Sequence, residues 1–184
     1  MNIKSILFFI LFFNILNCNK KCRHINYIDF NIYLGDYTAA QDINLLLNNN
    51  ITDILVVGEE LSKPYPKNFT YKQIYVYDYY EENIFKYFYE SIKFIENSKK
   101  NVYVHCYMGM SRSSTIVIAY IMYKKKLCFK EAFNFFSSKR SCISPNVGFK
   151  EQLVLFEKYL KDNDYNINNL NNIKLGDLIK QYNY

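Results

Sequence analysis

The stretch VHCYMGMSRSS, residues 104–114, contains the side chains of this sequence that are best suited to chemistry. Arg112 follows Cys106 by six positions, so a short loop can bring a thiol and a guanidinium to the same anion. A loop of this length can curl so that its backbone N–H groups point inward and surround a phosphate dianion. Gly109 gives the loop a flexible backbone position, and a helix that begins near Arg112 adds the positive end of its dipole. The segment therefore predicts a phosphate-binding loop that begins at a cysteine.

The side chains of this loop have distinct expected roles. The planar guanidinium of Arg112 can hold two phosphate oxygens at once, which a lysine cannot do. Nearby positive charge favours the thiolate of Cys106, which makes it the expected nucleophile. Ser113 can donate a hydrogen bond to that sulfur and help it to leave when a phosphoenzyme breaks down. The bound phosphate is expected to lie among the remaining loop residues and the arginine, namely Tyr107, Met108, Gly109, Met110, Ser111 and Arg112.

The alternative is that Cys106 is an inert buried cysteine and Arg112 an ordinary cation at a helix start. A bare Cys-x5-Arg spacing is weak evidence, since many chains contain it by chance. Here it is combined with a preceding apolar run, an internal glycine, hydroxyl residues on both sides of the arginine and an apolar helix after it. His105 is expected to support the loop by bonding its carbonyls, because adjacent strand residues point to opposite faces.

The hydrophobic pattern predicts the elements that position this loop. Short runs rich in β-branched and aromatic residues predict strands at INYIDFNIYLGD, ITDILVVG, YKQIYVY and NVYVHC, the first as a strand pair. Thr38 is a suitable N-cap for a helix that would run to the asparagines at 48–50. Further helices are predicted over 81–98, over STIVIAYIM and over two segments with phenylalanine stripes. This alternation predicts an α/β fold with a central, mostly parallel twisted sheet flanked by helices.

Composition limits the classes of function. The formal net charge of +6 over 184 residues modestly favours anionic partners such as phosphorylated surfaces. The densest basic cluster, Lys124–Lys126, is interpreted as a solvated helix end, so no nucleic-acid partner is predicted. Two histidines, and five cysteines without paired metal-ligand spacing, make a metal site hard to build. Neither a metal nor another cofactor is expected.

Three regions are predicted along the chain. Residues 1–21 combine an early lysine with a short apolar stretch, which indicates a signal peptide or membrane anchor; an apolar extension packed on the domain is the alternative. A core domain is predicted over 22–162 and an asparagine-rich tail over 163–184. The first region favours the secretory pathway or a membrane, whereas a readily oxidised thiolate favours the reducing cytoplasm, so both locations stay open.

The segment HCYMGMSRSSTIVIAYIM resembles the active-site region of the dual-specificity protein phosphatases, a family of the cysteine-based protein tyrosine phosphatase superfamily. The resemblance is strongest to the catalytic domains of the mitogen-activated protein kinase phosphatases. It extends over roughly residues 25–160, through YLGDYTAA, YVYDYYEENIFKYFYESIKFIE and KRSCISPNVGFKEQLVLFE. It implies that 22–162 is a catalytic domain that hydrolyses phosphotyrosine and phosphoserine or phosphothreonine on proteins through a cysteinyl-phosphate.

The resemblance also assigns a general acid. Asp78 lies 28 residues before Cys106, at the place of the family's mobile acid loop. A carboxylic acid there would protonate the departing oxygen, and its carboxylate would then activate water. Glu81 and Glu82 are competing candidates, but they are better placed to stabilise the first turn of a helix. Asn146 is expected to support the phosphate loop by hydrogen bonding.

Phosphorylated proteins are the expected partners. The loop lacks the lysines of phosphoinositide phosphatases, and the core has little room for the recognition loop of a tyrosine-only phosphatase. Kinases are one candidate substrate class, although the roughly 24 residues before the core are too few for the kinase-docking domain of the kinase phosphatases. The alternative from another class is a catalytically inactive phosphoprotein-binding scaffold, against which the retention of Cys106, Arg112 and Asp78 argues.

Overall fold

A five-stranded sheet forms the centre of the computed structural model, which describes residues 25–183. The strands are β1 (Asn26–Asp29), β2 (Ile32–Gly35), β3 (Ile51–Val57), β4 (Thr70–Ile74) and β5 (Asn101–His105). They lie in the order β1-β2-β5-β3-β4. Only the β1–β2 pair is antiparallel within the described chain, and the other three pairs are parallel. The predicted α/β fold with a mostly parallel sheet is confirmed.

Helices cover both faces of this sheet. They are α1 (Tyr37–Ala40), α2 (Ile43–Asn48), α3 (Phe88–Asn97), α4 (Arg112–Lys125), α5 (Phe129–Lys139), α6 (Val147–Asp162) and α7 (Leu175–Gln181), with single 3-10 turns at Phe85–Tyr87 and Leu170–Asn172. Alternate residues of β3 divide between the faces: Ile54 and Val56 pack with α1 and α2, whereas Leu55 and Val57 pack with α3 to α6. This alternation follows from the two-residue period of a strand.

The helix that follows the cysteine loop is buried on all sides. Every residue of α4 from Arg112 to Met122 is buried, because the helix lies between the sheet and its neighbours α3, α5 and α6. It ends at Lys126, which adopts the left-handed conformation with φ of 54° and donates its N–H to the Met122 carbonyl. A buried helix of this kind gives the loop before it a rigid support.

Two predicted helices begin elsewhere than expected. The segment from Thr38 to Asn48 forms two helices, because the Asp36 and Asp42 side chains each cap a separate N-terminus. The helix predicted over 81–98 begins only at Phe88, after a 3-10 turn. Gln152 of α6 holds the preceding residues out of the helix, since it donates to the Glu82 carbonyl and accepts from the Phe85 N–H.

The predicted C-terminal tail contributes side chains to the core. Buried side chains of the predicted tail, Ile167, Leu170 and Leu178, pack into the main core cluster. The signal or anchor predicted at 1–21 lies outside the described residues. Within 25–183, none of the helices combines the length and apolar character needed to cross a bilayer.

The parallel strands bring four connections to one edge of the sheet. Asp36 follows β2, Glu60 lies in the connection after β3, Asp78 comes after β4 and Cys106 follows β5. Because the carboxyl ends of parallel strands share one edge, these residues from distant parts of the sequence meet there. Cys106 directly follows β5, the central strand of the sheet, so the connections after the other strands lie around it.

Candidate active site

The loop after β5 is held open from outside by bonds to its carbonyl oxygens. The Tyr107 carbonyl accepts from Tyr37 N at 3.0 Å, and the Met110 carbonyl accepts from Ser144 N at 2.8 Å. The Ser111 carbonyl accepts from both the N–H and the hydroxyl of Thr115, each at 2.9 Å. Since these carbonyls point outward, the N–H groups of the loop are left to face its interior, which is the arrangement that binds anions.

Cys106 lies at the bottom of this loop and is only 2% exposed. Its sulfur accepts hydrogen bonds from Gly109 N and from Ser113 Oγ, both at 3.2 Å. Both donors stabilise negative charge on sulfur, and the N-terminus of α4 adds its dipole. The contact predicted between Ser113 and the cysteine is therefore present.

Gly109 allows the loop to close against the rest of the fold. Its φ is +65°, and a Cβ there would lie 2.3 Å from the Gly35 carbonyl oxygen. Arg140, fully buried, donates from Nε to the Gly109 carbonyl at 3.1 Å and from Nη1 to Asn26 Oδ1 at 2.5 Å. Burial lowers the pKa of Arg140 from its usual value. The loop is thus tied through one guanidinium to the first strand.

Gly109→Ala should destabilise the fold by about 2 kcal/mol or more, because it adds the strain of a left-handed L residue to a backbone clash. Urea denaturation would measure the loss. Gly176→Ala is the matched control: a Cβ there meets no atom within 4 Å, in helix α7. Alanine is the better helix former, so this control should be neutral or stabilising by up to about 1 kcal/mol. Equal effects of the two changes would contradict the role given to Gly109.

Arg112 is the first residue of α4 and is fixed by an acid from the β3–β4 connection. Its Nη1 donates to both carboxylate oxygens of Glu60, at 2.6 and 2.9 Å, and is 3.4 Å from the Val76 carbonyl. Its buried Nε has no hydrogen-bond partner among residues 25–183 and is 3.9 Å from Asp78 Oδ2. Glu60 therefore holds one side of the guanidinium and leaves Nε for a further acceptor.

Glu60→Gln should weaken binding of vanadate and lower kcat/KM for p-nitrophenyl phosphate by about tenfold, as expected for loss of a charge-assisted hydrogen bond. Glu59→Gln provides a matched control, because Glu59 interacts with Tyr77 and not with Arg112. If Glu60→Gln instead binds vanadate more tightly, Glu60 competes with phosphate for the arginine and does not orient it.

Asp78 is held above the loop by two residues from other parts of the chain. Its Oδ1 accepts from Ser111 Oγ at 2.7 Å and from Asn146 Nδ2 at 2.8 Å. Asn146 also caps α6 by accepting from Phe149 N, and its own N–H donates to Ser111 Oγ at 3.1 Å. The structure thus places Asp78, Ser111 and Asn146 in one network at the rim. Within residues 25–183, neither the Glu81 nor the Glu82 carboxylate is bonded to the phosphate loop.

His105 is buried beneath the loop. Its Nδ1 is 3.2 Å from the Cys106 carbonyl, and its ring stacks on Tyr103 with centroids 5.4 Å apart. Burial, opposed by the bond to the carbonyl and aided by the charge of Arg112, lowers the pKa of His105 from 6.5 to about 4. The ring is therefore neutral at physiological pH and donates from Nδ1, which matches the supporting role predicted for it.

Acidification should destabilise the fold through His105. Between about pH 6.5 and pH 4 the unfolded chain binds a proton that the folded chain does not, so the unfolding free energy falls as pH drops through this window. We expect a loss on the order of 2–3 kcal/mol from this group between about pH 7 and pH 4.5. Urea denaturation of the wild type and of His105→Gln, each at about pH 7 and about pH 4.5, measures this loss. Equal pH dependence in the two proteins would contradict this account.

Two residues of this site were missed in the sequence. Glu60 is the second acid of the GEE segment that follows the buried strand β3. An acid shortly after a strand that neighbours the strand of Cys106 is the signal that could have found it. Arg140 lies in the KRSC segment, which resembles the family's arginine element, but no role at the site was predicted for it. Tyr107 and Met108, predicted near the phosphate, are 56% and 58% exposed and form the outer rim of the loop.

Fold and loop geometry together define a cysteine-based phosphatase architecture. The family described as dual specificity phosphatase, catalytic domain, matches residues 32–159. The chain is 40% identical over 140 residues to Dual specificity protein phosphatase 1 of Arabidopsis thaliana, with 74% of this chain and 71% of that protein covered. It is 39% identical over 144 residues to Dual specificity protein phosphatase 1B of Arabidopsis thaliana, with 77% and 86% covered.

Solved structures agree with these relatives. The structure of the human tyrosine phosphatase-like serine/threonine/tyrosine-interacting protein superposes with a TM-score of 0.73 and 31% identity, covering 76% of this chain and 99% of that chain. The chain belongs to the dual-specificity phosphatase family of the cysteine-based protein tyrosine phosphatase superfamily, and it is a protein phosphatase.

Proposed function

We propose that this phosphatase hydrolyses phosphotyrosine, phosphoserine and phosphothreonine on proteins through a cysteinyl-phosphate intermediate. One observation carries the proposal: the Cys106 sulfur accepts from Gly109 N and Ser113 Oγ inside a loop whose carbonyls bond outward. A thiolate is stabilised there, and the remaining N–H groups can hold the oxygens of a phosphate.

In the first step, the Cys106 thiolate attacks phosphorus and the bond from phosphorus to the substrate oxygen breaks. Arg112 binds two of the phosphate oxygens, with Glu60 holding the opposite side of its guanidinium. Asp78, as the carboxylic acid, transfers its proton to the departing oxygen, so the substrate leaves as an alcohol or phenol. Its place at the rim, beside Ser111, supports this role.

In the second step, water attacks the phosphorus of the cysteinyl-phosphate and the bond between phosphorus and sulfur breaks. The Asp78 carboxylate accepts a proton from that water, which restores the acid. The hydrogen bond from Ser113 Oγ stabilises the sulfur as it leaves as a thiolate. Inorganic phosphate is released and the enzyme returns to its starting state.

A shallow site supports activity on all three phosphorylated residues. A single residue, Asp36, separates the end of β2 at Gly35 from the start of α1 at Tyr37. No long loop is inserted at this connection, which favours a shallow entrance. A shallow entrance lets the shorter phosphoserine and phosphothreonine side chains reach Cys106 as well as phosphotyrosine.

The test is hydrolysis by the purified chain under reducing conditions at mildly acidic pH. We expect turnover of p-nitrophenyl phosphate that vanadate blocks, and phosphate release from matched phosphotyrosine, phosphothreonine and phosphoserine peptides. Release from phosphotyrosine alone would narrow the substrate range and contradict the dual specificity. Phosphopeptide binding without turnover would favour the phosphoprotein-binding scaffold in its place.

A further inference from the structure

A groove of about 650 Å³ borders the phosphate loop on the side of α1 and α2. Its lining includes Asp36, Tyr37, Asp42, Leu45, Tyr107 and Met108. The last two belong to the rim of the phosphate loop itself. A peptide whose phosphorylated residue enters the loop would therefore place a neighbouring residue over this groove.

Two tyrosines form a preorganised aromatic wall in the groove. The rings of Tyr37 and Tyr107 are nearly parallel, with an interplanar angle of 11° and centroids 6.3 Å apart. Tyr37 is fixed at both ends, because its N–H donates to the Tyr107 carbonyl and its hydroxyl lies 3.1 Å from Ser62 Oγ. Aromatic faces attract cations, and the planar guanidinium of arginine stacks on them.

Two carboxylates give the groove a negative charge. Asp36 and Asp42 each use Oδ1 to cap a helix, by accepting from Ala39 N and Leu45 N. Within residues 25–183, neither forms a direct ion pair, although Asp36 interacts electrostatically with the buried Arg140, and the groove lining contains no lysine or arginine. The sequence from Gly35 to Ser62 contains no basic residue; Lys63 comes next but is not part of the lining.

Further acids lie in other connections at this sheet edge. Glu59 follows β3, and exposed acids also follow β4 at Asp78 and Glu81. The chain as a whole carries +6, so the acidic edge is a local feature. An acidic residue beside the phosphorylated residue would be repelled here, and a basic residue would be attracted.

We propose that this groove binds a basic side chain, arginine in preference to lysine, that neighbours the phosphorylated residue of the substrate protein. The proposal rests on the proposed function, because its occupant is part of the phosphorylated substrate. Asp36 and Asp42 supply charge, and Tyr37 and Tyr107 supply a flat surface. The enzyme is then selective for phosphorylated residues in basic segments.

The test compares phosphotyrosine peptides that differ in one residue. The residues around the phosphotyrosine are otherwise alanine. Arginine or glutamate is placed, one position at a time, at the two positions before the phosphotyrosine and the two positions after it. For at least one position we expect kcat/KM to be about five- to tenfold higher with arginine, as expected for one exposed ion pair and one cation–π contact. The ratio should shrink as salt is added. Equal values for arginine and glutamate at every position would overturn the proposal.

A variant that neutralises both aspartates tests whether the groove causes the preference for arginine. In the double variant Asp36→Asn/Asp42→Asn both helix caps are retained, because asparagine caps as well as aspartate, and the arginine-to-glutamate ratio should fall at least about threefold. Because the ratio compares two substrates on one enzyme, a general loss of catalytic power cancels. An undiminished ratio in the double variant would assign the preference to other acids and overturn the role of the groove.

Asp164→Asn is the matched control. Asp164 has a φ of 47°, which asparagine tolerates, and lies near Lys124 and Lys126 at the far end of α4. That end is roughly 20 Å from the phosphate loop along a 14-residue helix. The arginine-to-glutamate ratio of Asp164→Asn should match that of the wild type. A fall as large as that of the double variant would overturn the proposal.

Binding measurements test the role of the groove independently of the proposed function. Affinities of the arginine and glutamate peptides for the Cys106→Ser variant are measured by fluorescence anisotropy, without any turnover. If no peptide is hydrolysed by the wild type, the proposed function fails, and the ratio of these affinities still decides the groove. A tighter arginine peptide supports the groove, and equal affinities overturn it.

Discussion

Cys106→Ser should lower kcat for p-nitrophenyl phosphate by at least about 10⁴-fold, because serine lacks the readily formed thiolate that attacks phosphorus. Phosphopeptide binding should persist, since Arg112, its partner Glu60 and the inward N–H groups remain in place. Steady-state kinetics measures the first effect, and fluorescence anisotropy with a labelled phosphotyrosine peptide measures the second. The variant should therefore trap substrates.

The matched control for this change is Cys128→Ser. Cys128 is the other free cysteine among residues 25–183, and it lies at the N-cap of α5, where serine is a favourable residue. Its loss should leave kcat within about twofold of wild type, as expected for a surface change away from the site. Undiminished activity of Cys106→Ser, or an equal loss in Cys128→Ser, would refute Cys106 as the nucleophile.

Asp78→Asn should lower kcat by about 10²-fold or more for phosphoserine and phosphothreonine peptides, whose alkoxides need a proton to leave. The loss should be smaller for p-nitrophenyl phosphate, because its phenolate leaves without one. Asparagine can still accept at Oδ1 from Ser111 and Asn146, so the rim network should be preserved. The ratio of the two losses, from kinetics on both substrates, measures general-acid catalysis separately from binding.

Glu81→Gln and Glu82→Gln are the controls for the acid. Neither carboxylate is bonded to the phosphate loop within the described chain, so both variants should keep the leaving-group dependence of the wild type. If Glu81→Gln shows the large loss on phosphoserine and Asp78→Asn does not, Asp78 is the wrong acid.

The phosphate loop could be predicted because its information is local. Cys106, Gly109, Arg112 and Ser113 lie within eight consecutive residues, and their types alone require a curled loop at a helix start. Asp78 and Asn146 needed the family resemblance, since nothing in the spacing of 68 residues between them indicates that they meet at 2.8 Å.

Contacts that depend on the arrangement of elements could not be predicted. Glu60 reaches Arg112 only because β3 and β5 are neighbours in the sheet, and the chain order does not state this. The break between α1 and α2 arises from a second aspartate cap at Asp42, and Asp36, not the predicted Thr38, caps α1. Local patterns predict elements well, but not which polar groups from separate elements become partners.

The bond from Arg140 to Asn26 has a consequence for how the chain folds. It joins residues 114 positions apart, and the same guanidinium bonds the Gly109 carbonyl. Contacts at such long sequence separation form late, because closing a large loop of chain costs entropy before it is offset. We therefore expect the phosphate loop of a newly made chain to close fully only after the first strand has docked, so that a partly folded chain has little capacity to dephosphorylate anything.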